Sequence, residues 1–358
     1  MVQQITRVFS GYKTSSAPVF KKQITQQSTL SPYSASNTSL DASASSAARA
    51  MASASISFSG VFIPQKVSSA IEAADNMRHN ANEKRSKINK LTEHTIKPIT
   101  ERANKMAEET LAAIREGKKN NYSVVIDENG VIRRSFELNG EKPASMTEYA
   151  QDGSPKRKTY FLGNEWIGIE EGNIELFLKN NEIVEYREGV VYDYSPGGKD
   201  TIEKDLLFEN GKPVLYKEGI EYSPNLERAA KKLSFDKSWN PGIYEEGVES
   251  YSLRGERYVK ASSELCFDEG IPILYKEGVS NGFFKNRVAD RVLTYDEEGA
   301  VSSYQEGVKP LFKDSDKILS FRHEKPTFYA DYNNDSEGRS RLNDCFLKIG
   351  NKWVRSKI

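Results

Sequence analysis

Read as apolar against polar positions, the chain changes period once. Between about residues 67 and 117 the apolar residues recur at helical spacing. Beyond Pro98, the positions Ile99, Ala103, Met106, Thr110 and Ala113 alternate steps of four and three, which places them on one helix face. Ser69-Ala70-Ile71-Glu72 fits a capping box, in which serine and glutamate satisfy each other's free backbone amides. Pro98 lacks an amide hydrogen and crowds the preceding turn, so it predicts a break or kink. Gly117, followed by Lys118 and Lys119, reads as the helix stop. Before Pro98 the stripe is thinner, and Lys84 falls where a leucine belongs. A stripe this poor in large side chains predicts packing on the next domain in preference to a coiled coil.

From residue 122 the helical spacing gives way to short β-prone runs separated by turn residues. One phrase returns five times: Tyr186-Arg187-Glu188-Gly189-Val190, Tyr216-Lys217-Glu218-Gly219-Ile220, Tyr244-Glu245-Glu246-Gly247-Val248, Tyr275-Lys276-Glu277-Gly278-Val279 and Tyr304-Gln305-Glu306-Gly307-Val308. Successive tyrosines stand 30, 28, 31 and 29 residues apart, the mark of a repeat architecture. Eight or nine residues before each tyrosine stands another aromatic: Phe177, Phe208, Phe235, Phe267 and Tyr295. Turn-prone stretches such as Glu209-Asn210-Gly211 and Asp268-Glu269-Gly270 lie between them, and Asn-Gly between β-prone flanks is a strong hairpin signal. Each unit reads as strand, tight turn, strand, and a second bend at the Glu-Gly.

The segments Phe208–Gly219 and Phe267–Gly278 match especially well, 59 residues apart, which suggests a two-unit super-period. Their Pro213 and Pro272 cannot donate to a sheet ladder, so those positions should face outward or lie at a bulge. Weaker relatives extend the array both ways. Upstream are Asp127–Gly130, Phe136, Asn139-Gly140, Tyr149, Asp152-Gly153 and Tyr160; downstream are Phe321 and Tyr329, without the Glu-Gly. A last hairpin, Phe346 to Val354 around Gly350-Asn351, reads as a cap. The expected fold is mainly β: antiparallel β-hairpin repeats with a period of about thirty residues forming an elongated twisted sheet over residues 122–358. One or two α-helices kinked near Pro98 and a disordered N-terminus precede it.

The Gly-based turns and the aromatic ladder over residues 122–320 resemble the short hairpin repeats of the MORN-variant, YwqK-like antitoxin family, and more distantly the YD repeats of Rhs-type proteins. The MORN glycine and tryptophan positions are missing, and the period is longer. The resemblance implies a hairpin array.

Two readings attach to Tyr186, Tyr216, Tyr244, Tyr275 and Tyr304. As structural residues their rings stack with neighbouring hairpins and supply most of each unit's buried area. As binding candidates their hydroxyls line a groove for a peptide or glycan. Glu188, Glu218, Glu246, Glu277 and Glu306 likewise read as turn residues paired with nearby Lys or Arg, in preference to an acidic ladder for a cation or basic partner. The phrase glycines supply backbone geometry that a side chain forbids.

The remaining chemistry is sparse. Lys+Arg and Asp+Glu are 51 each, so net charge recommends neither nucleic acid nor an anionic membrane. Two distant cysteines, Cys266 and Cys345, and three scattered histidines make neither a disulfide framework nor a zinc site. No nucleophile elbow, phosphate-cradling loop or His-Glu-x-x-His occurs. The acid pairs recur with the repeat, whereas a glycosidase-like site would depart from it. No run reaches the length of a membrane span, and the N-terminus lacks a secretory core.

Residues 1–60 are rich in Ser, Ala, Thr and Gln, with Asp41 the one acid against Arg7, Lys13, Lys21, Lys22 and Arg49. Such a composition predicts disorder, or a targeting segment for organellar or non-Sec export, and Phe-Ser-Gly occurs twice within it. The expectation is therefore a non-enzymatic protein-binding or scaffolding repeat protein, cytoplasmic by default, with no cofactor and a protein partner. The alternative is an exported effector or an antitoxin or immunity component addressed by residues 1–60.

Overall fold

The computed structural model describes residues 63–195, 198–223, 226–253, 256–281, 287–308, 315–334 and 340–356. The expected leader at 1–60, with its disorder, targeting and Phe-Ser-Gly readings, lies outside the described residues. The protein is mainly β, as its alternation predicts: nineteen strands among the described residues pair antiparallel in chain order. They run from Val125–Ile126 to Lys352–Arg355 as one open meander, preceded by a long helix.

The helix comprises α1 (Gln65–Leu91), a π turn (Thr92–Ile96) and α2 (Lys97–Lys119). Its buried stripe explains the π turn. Val67, Ala70, Ala74, Met77, Ala81, Lys84 and Ile88 follow strict steps of three and four, and so do Ile96, Ile99, Ala103, Met106, Thr110, Ala113 and Gly117. Ile88 and Ile96 are eight apart, one more than a heptad, and the wider π turn absorbs the odd residue just before Pro98. The apolar stripe therefore stays on one face across the whole helix.

Two local expectations are corrected. The helix starts at Gln65 after Pro64, without a side-chain cap, so Ser69 and Glu72 lie inside it and form no capping box. A serine four residues into a continuing helix has no free amide end to cap. Gly117 is not the stop either, since the helix continues to Lys119 and ends at Asn121 and Tyr122, both with positive φ. Gly117 is needed for close approach: a Cβ there would lie 2.3 Å from the Phe136 ring.

Helix and hairpins share one spacing. Seven helical residues advance about 10.5 Å, and two strands about 9.6 Å. Each heptad therefore spans one hairpin, and the polar contacts keep that pace. Lys66 reaches Asp331 (2.8 Å), Asn80 reaches Glu277 (3.1 Å), Lys84 pairs with Glu246, Arg102 meets Glu188 (3.7 Å), Glu109 pairs with Arg157 (2.9 Å), and Glu116 pairs with Arg134 (2.8 Å). The helix crosses the sheet from its last hairpins to its first.

Turn chemistry explains the alternating repeat length. The hairpins at Asn210-Gly211, Glu269-Gly270 and His323-Glu324 have two central residues of positive φ, the backbone that matches strand twist. Those at Asp236 and Asp296 use a longer loop. Asp236 Oδ1 accepts from the Ser238 and Asn240 amides (both 2.8 Å), and Asp296 Oδ1 from Glu298 (3.1 Å) and Ala300 (2.8 Å). The two turn types alternate, so the aromatic-to-tyrosine spacing alternates between eight and nine. Pro143, Pro213, Pro241, Pro272 and Pro326 each pair beside a register shift, where a missing donor costs no ladder bond.

Candidate functional site

The face under the helix carries a ladder with one rung per strand. Reading across paired residues, Leu176, Tyr186, Leu206, Tyr216, Leu233, Tyr244, Leu265, Tyr275, Leu293, Tyr304, Leu319 and Tyr329 stand side by side. All are at most 1% exposed and pack with the helix stripe in one core. The five phrase tyrosines therefore line no open groove for peptide or glycan. Nor do their rings stack on one another, because a leucine separates each pair. The second aromatics, Phe208, Phe235, Phe267, Tyr295 and Phe321, join the same core. Phe177 does not: the register shift at Phe177/Leu178 gives its place to Leu178, and Phe177 faces away beneath the Arg187 guanidinium (5.6 Å).

Each tyrosine hydroxyl donates to the glutamate two residues on: Tyr216 to Glu218 (3.1 Å), Tyr244 to Glu246 (2.8 Å), Tyr275 to Glu277 (3.0 Å), Tyr304 to Glu306, and Tyr186 more distantly to Glu188 (3.5 Å). The glutamates lie in strands, not in turns, and each meets a base. Opposite them stand Lys204, Lys231, Arg291 and Lys317. On the next strand Glu246 meets Ser263 in place of a base, Lys231 opposite it on the preceding strand pairs with Glu218, and the helix supplies Lys84. Burial alone would raise Glu246, but hydrogen bonds from Lys84 and Tyr244 hold it below the ordinary carboxylate value. Burial and the neighbouring glutamates push the Tyr216, Tyr244, Tyr275 and Tyr304 hydroxyls up. A hydroxyl in this setting stays a donor.

The ladder also reveals units that lack the phrase. Met146 with Glu148, and Ile169 with Glu171, occupy the tyrosine and glutamate places, paired with Arg134 and Arg157. Tyr149 and Tyr160 are not rungs. Downstream, Tyr329 is a rung and Asp331 takes the glutamate place, bonded by Lys66.

The five phrase glycines have φ of +59 to +68°. At Gly219 a Cβ would meet the Ala230 Cβ at 2.9 Å, so both backbone and space exclude a side chain. Beyond the glycines the alternation changes side. Ile220, Val248 and Val279 cluster with Leu274 and Val292, neighbours of rung residues that face away from the helix.

That helix-free face is the candidate site. Paired residues across it read Glu170, Glu175, Arg187, Asp205, Lys217, Lys232, Glu245, Glu264 and Lys276. Strong pairs tie the row together: Arg187 with Glu185 (2.9 Å), Lys217 with Glu227 (2.6 Å), Lys232 with Glu245 (2.6 Å) and Lys276 with Glu264 (2.8 Å). The acids Asp205, Glu245 and Glu264 are buried, Arg187 is buried with them, and Lys217, Lys232 and Lys276 keep part of their side chains exposed.

At one end the row departs from the repeat. Glu185 stands where three other units have Leu215, Ile243 and Leu274 and the fifth has Ser303, and its carboxyl lies near that of Asp205 on the next strand. Burial first, then Asp205, raises Glu185 well above the carboxylate range. Burial also pushes Glu175 up to about 7, against the Tyr192 hydroxyl that donates to both its oxygens (2.9 and 3.0 Å). Burial would lower Lys217, but Tyr222, Glu227 and Asp205 around it more than offset that and raise it. Sequence reasoning missed this cluster; its one signal was an acid at Glu185, where the other phrase units have Leu, Ile or Ser.

Among the described residues no group of three or more His, Cys, Asp or Glu is placed to hold a metal, and no helix is long and apolar enough to cross a membrane. No family model matches the chain, and no curated protein matches it. Among solved structures it is similar to the crystal structures of TcdB2-TccC3-Cdc42 and of TcdB2-TccC3, each at 9% identity, with TM-scores of 0.15 and 0.16. The alignments cover 65% and 67% of this chain but only 14% and 16% of those chains. The chain thus spans less than a fifth of the structures it matches, and likeness at this level carries no weight for function.

Proposed function

We propose that the protein is a non-enzymatic binding or scaffolding module whose helix-free face meets a protein partner. One observation supports this most. The helix occupies one face of the array, while the other holds charges in strand register from Glu170 to Lys276. Lys217, Lys232 and Lys276 keep part of their side chains exposed over buried acids and favour a partner of complementary charge, and complementarity of this kind sets specificity and association rate. The repeat gives length, and the partly exposed phrase residues Lys217, Lys276 and Gln305 give identity. The resemblance to MORN-variant, YwqK-like repeats belongs to this same reading.

The test is affinity capture with the full chain and two triple charge reversals. Lys217→Glu, Lys232→Glu and Lys276→Glu change the helix-free face. Lys87→Glu, Lys97→Glu and Lys105→Glu change the exposed side of the helix. The partner should be lost with the first set and kept with the second. Loss with the helix set alone, or capture by residues 1–60 alone, sinks the proposal. The acid-poor N-terminal segment supports a second reading, an exported effector or immunity component. A reporter fused to residues 1–60 that stays in the producing compartment counts against it.

A further inference from the structure

Helix and sheet both repeat, so more than one alignment between them is geometrically open. From Leu176 to Tyr329 the rungs are leucine or tyrosine, and the helix stripe recurs every seven residues. A slide by one heptad would return similar packing over most of the sheet and leave the rungs of one end hairpin bare. The five residues 120–124, which tie the helix to the first strand, reach up to about 16 Å. One heptad is about 10.5 Å, so the tether alone does not choose. What differs along the helix is a polar position beside the stripe. It runs Lys66, Ala73, Asn80, Lys87, Thr95, Arg102, Glu109 and Glu116, in steps of seven with one step of eight at the π turn. The glutamate place beneath runs Asp331, Glu306, Glu277, Glu246, Glu218, Glu188, Glu171 and Glu148, one per hairpin.

The residue at each position completes what the strands leave unfinished. Asp331 pairs in register with Asp344, and Lys66 bonds both (2.8 and 2.6 Å). Glu306 and Glu218 already have Lys317 and Lys231 from the next strand, and there the helix offers only Ala73 and Thr95. Glu277 has Arg291, and Asn80 adds an uncharged donor (3.1 Å). Glu246 meets Ser263 on the next strand, and the lysines return, with Lys84 making the bond one turn before Lys87. Glu188 draws on Lys204 and on Arg102, each at 3.7 Å. At the first two hairpins the sense inverts. Arg157 and Arg134 serve Glu171 and Glu148, and each takes a further acid from the helix, Glu109 (2.9 Å) and Glu116 (2.8 Å). We propose that these eight positions are an address that fixes the helix on the sheet: each charge suits the hairpin beneath it, and only one alignment suits them all. Slid one heptad towards the first strands, Arg102 would face Arg157, and Asp331 would lose Lys66. Slid the other way, Glu109 would face Glu188, and Ala73 would face Asp331. Polar residues in a repeating seam set register in the same manner.

Charge exchange on the full chain tests this, read as urea midpoints. Arg102→Glu and Glu109→Arg should each lower the midpoint. The double exchange should lower it by about as much as the two together, although helix composition and net charge are unchanged. A second variant moves the address itself. Deleting residues 103–109 keeps the stripe in phase and brings Arg102 to the place of Glu109, opposite Arg157. In that background Arg102→Glu should raise the midpoint, the reverse of its effect in the parent. A double exchange that leaves the midpoint unchanged overturns the proposal. So does an Arg102→Glu change that lowers the midpoint in both backgrounds. Should the deletion variant not fold, the double exchange decides alone.

Discussion

The two faces of the sheet obey different rules. Under the helix, tyrosine, glutamate and glycine recur because each meets the same environment: a helical heptad, a base, and a bend that admits no side chain. Across the same strands, the residue between tyrosine and glutamate is Arg187, Lys217, Glu245, Lys276 or Gln305. A repeat signature therefore reports the face where every unit faces one partner element. The opposite face is free to differ from unit to unit, and individual recognition has room there.

The largest effect should come from a rung. Tyr244→Ala removes a ring that is 1% exposed beneath the helix, and a cavity of that size costs about 3–5 kcal/mol. Tyr244→Phe keeps the ring and loses the bond to Glu246, for about 1 kcal/mol. On the other face, Glu245→Gln keeps the shape and weakens one ion pair. Urea midpoints for the three variants should rank in that order. If Glu245→Gln cost as much as Tyr244→Ala, the division of labour between faces would be wrong.

Next in size is a pH effect confined to the helix-free face. The Glu175 carboxyl, raised to about 7 in the folded protein, stabilises that state fully below its unfolded value and loses this contribution as pH rises through 7. Glu175→Gln should therefore raise stability at pH 8 by at most about 3 kcal/mol and leave it unchanged near pH 4. A Glu306→Gln variant gives the contrast. Burial would raise Glu306, but Lys317 and Tyr304 hold it low, so its contribution is present at pH 7 and disappears on acidification. Stability against pH should change in opposite directions for the two glutamates.

The contrast also explains what the sequence made legible. The five phrases, the Asn-Gly turn at 210–211 and the α2 stripe are dictated by local geometry, and they read correctly. The units at Met146 and Ile169 were invisible as repeats because the core asks only for a large apolar rung, which methionine and isoleucine supply. Phe177 misled because aromatic spacing alternates with turn type, and a one-residue register shift moves a side chain to the other face. The candidate site lay deepest. Its charges are neighbours across strands but about thirty residues apart in sequence, so no local pattern joins them. Only Glu185, the one acid at its place among the phrase units, stood out.

Lys84 and Ser263 offer an exchange within the helix face. In four phrase units the base opposite the glutamate comes from the next strand; at Glu246 that strand has Ser263 and the helix supplies the charge. Lys84→Ala leaves a half-buried carboxylate short of its base and should cost about 1–2 kcal/mol. Adding Ser263→Lys returns the base from the strand side into the space vacated by Lys84. The double variant should recover most of the loss. Failure to recover, with Ser263→Lys alone harmless, would mean that Lys84 acts by packing rather than charge.

The smallest effect concerns the unit where the rule is incomplete. Tyr329 is a fully buried rung, yet its hydroxyl has no hydrogen-bond partner among the described residues, because Asp331 takes the glutamate place with a side chain one methylene shorter. Asp331 instead bonds Lys66 and the Asp344 amide, and these fix it away from the ring. Asp331→Glu should let the carboxylate reach both Lys66 and Tyr329, as Glu246 reaches Lys84 and Tyr244. The gain is the net value of one hydrogen bond, about 1 kcal/mol less whatever the Asp344 contact was contributing. Tyr329→Phe, which removes the unpaired hydroxyl, should stabilise the parent slightly and destabilise the Asp331→Glu variant. That reversal in one double-mutant cycle separates a missing partner from a merely crowded ring.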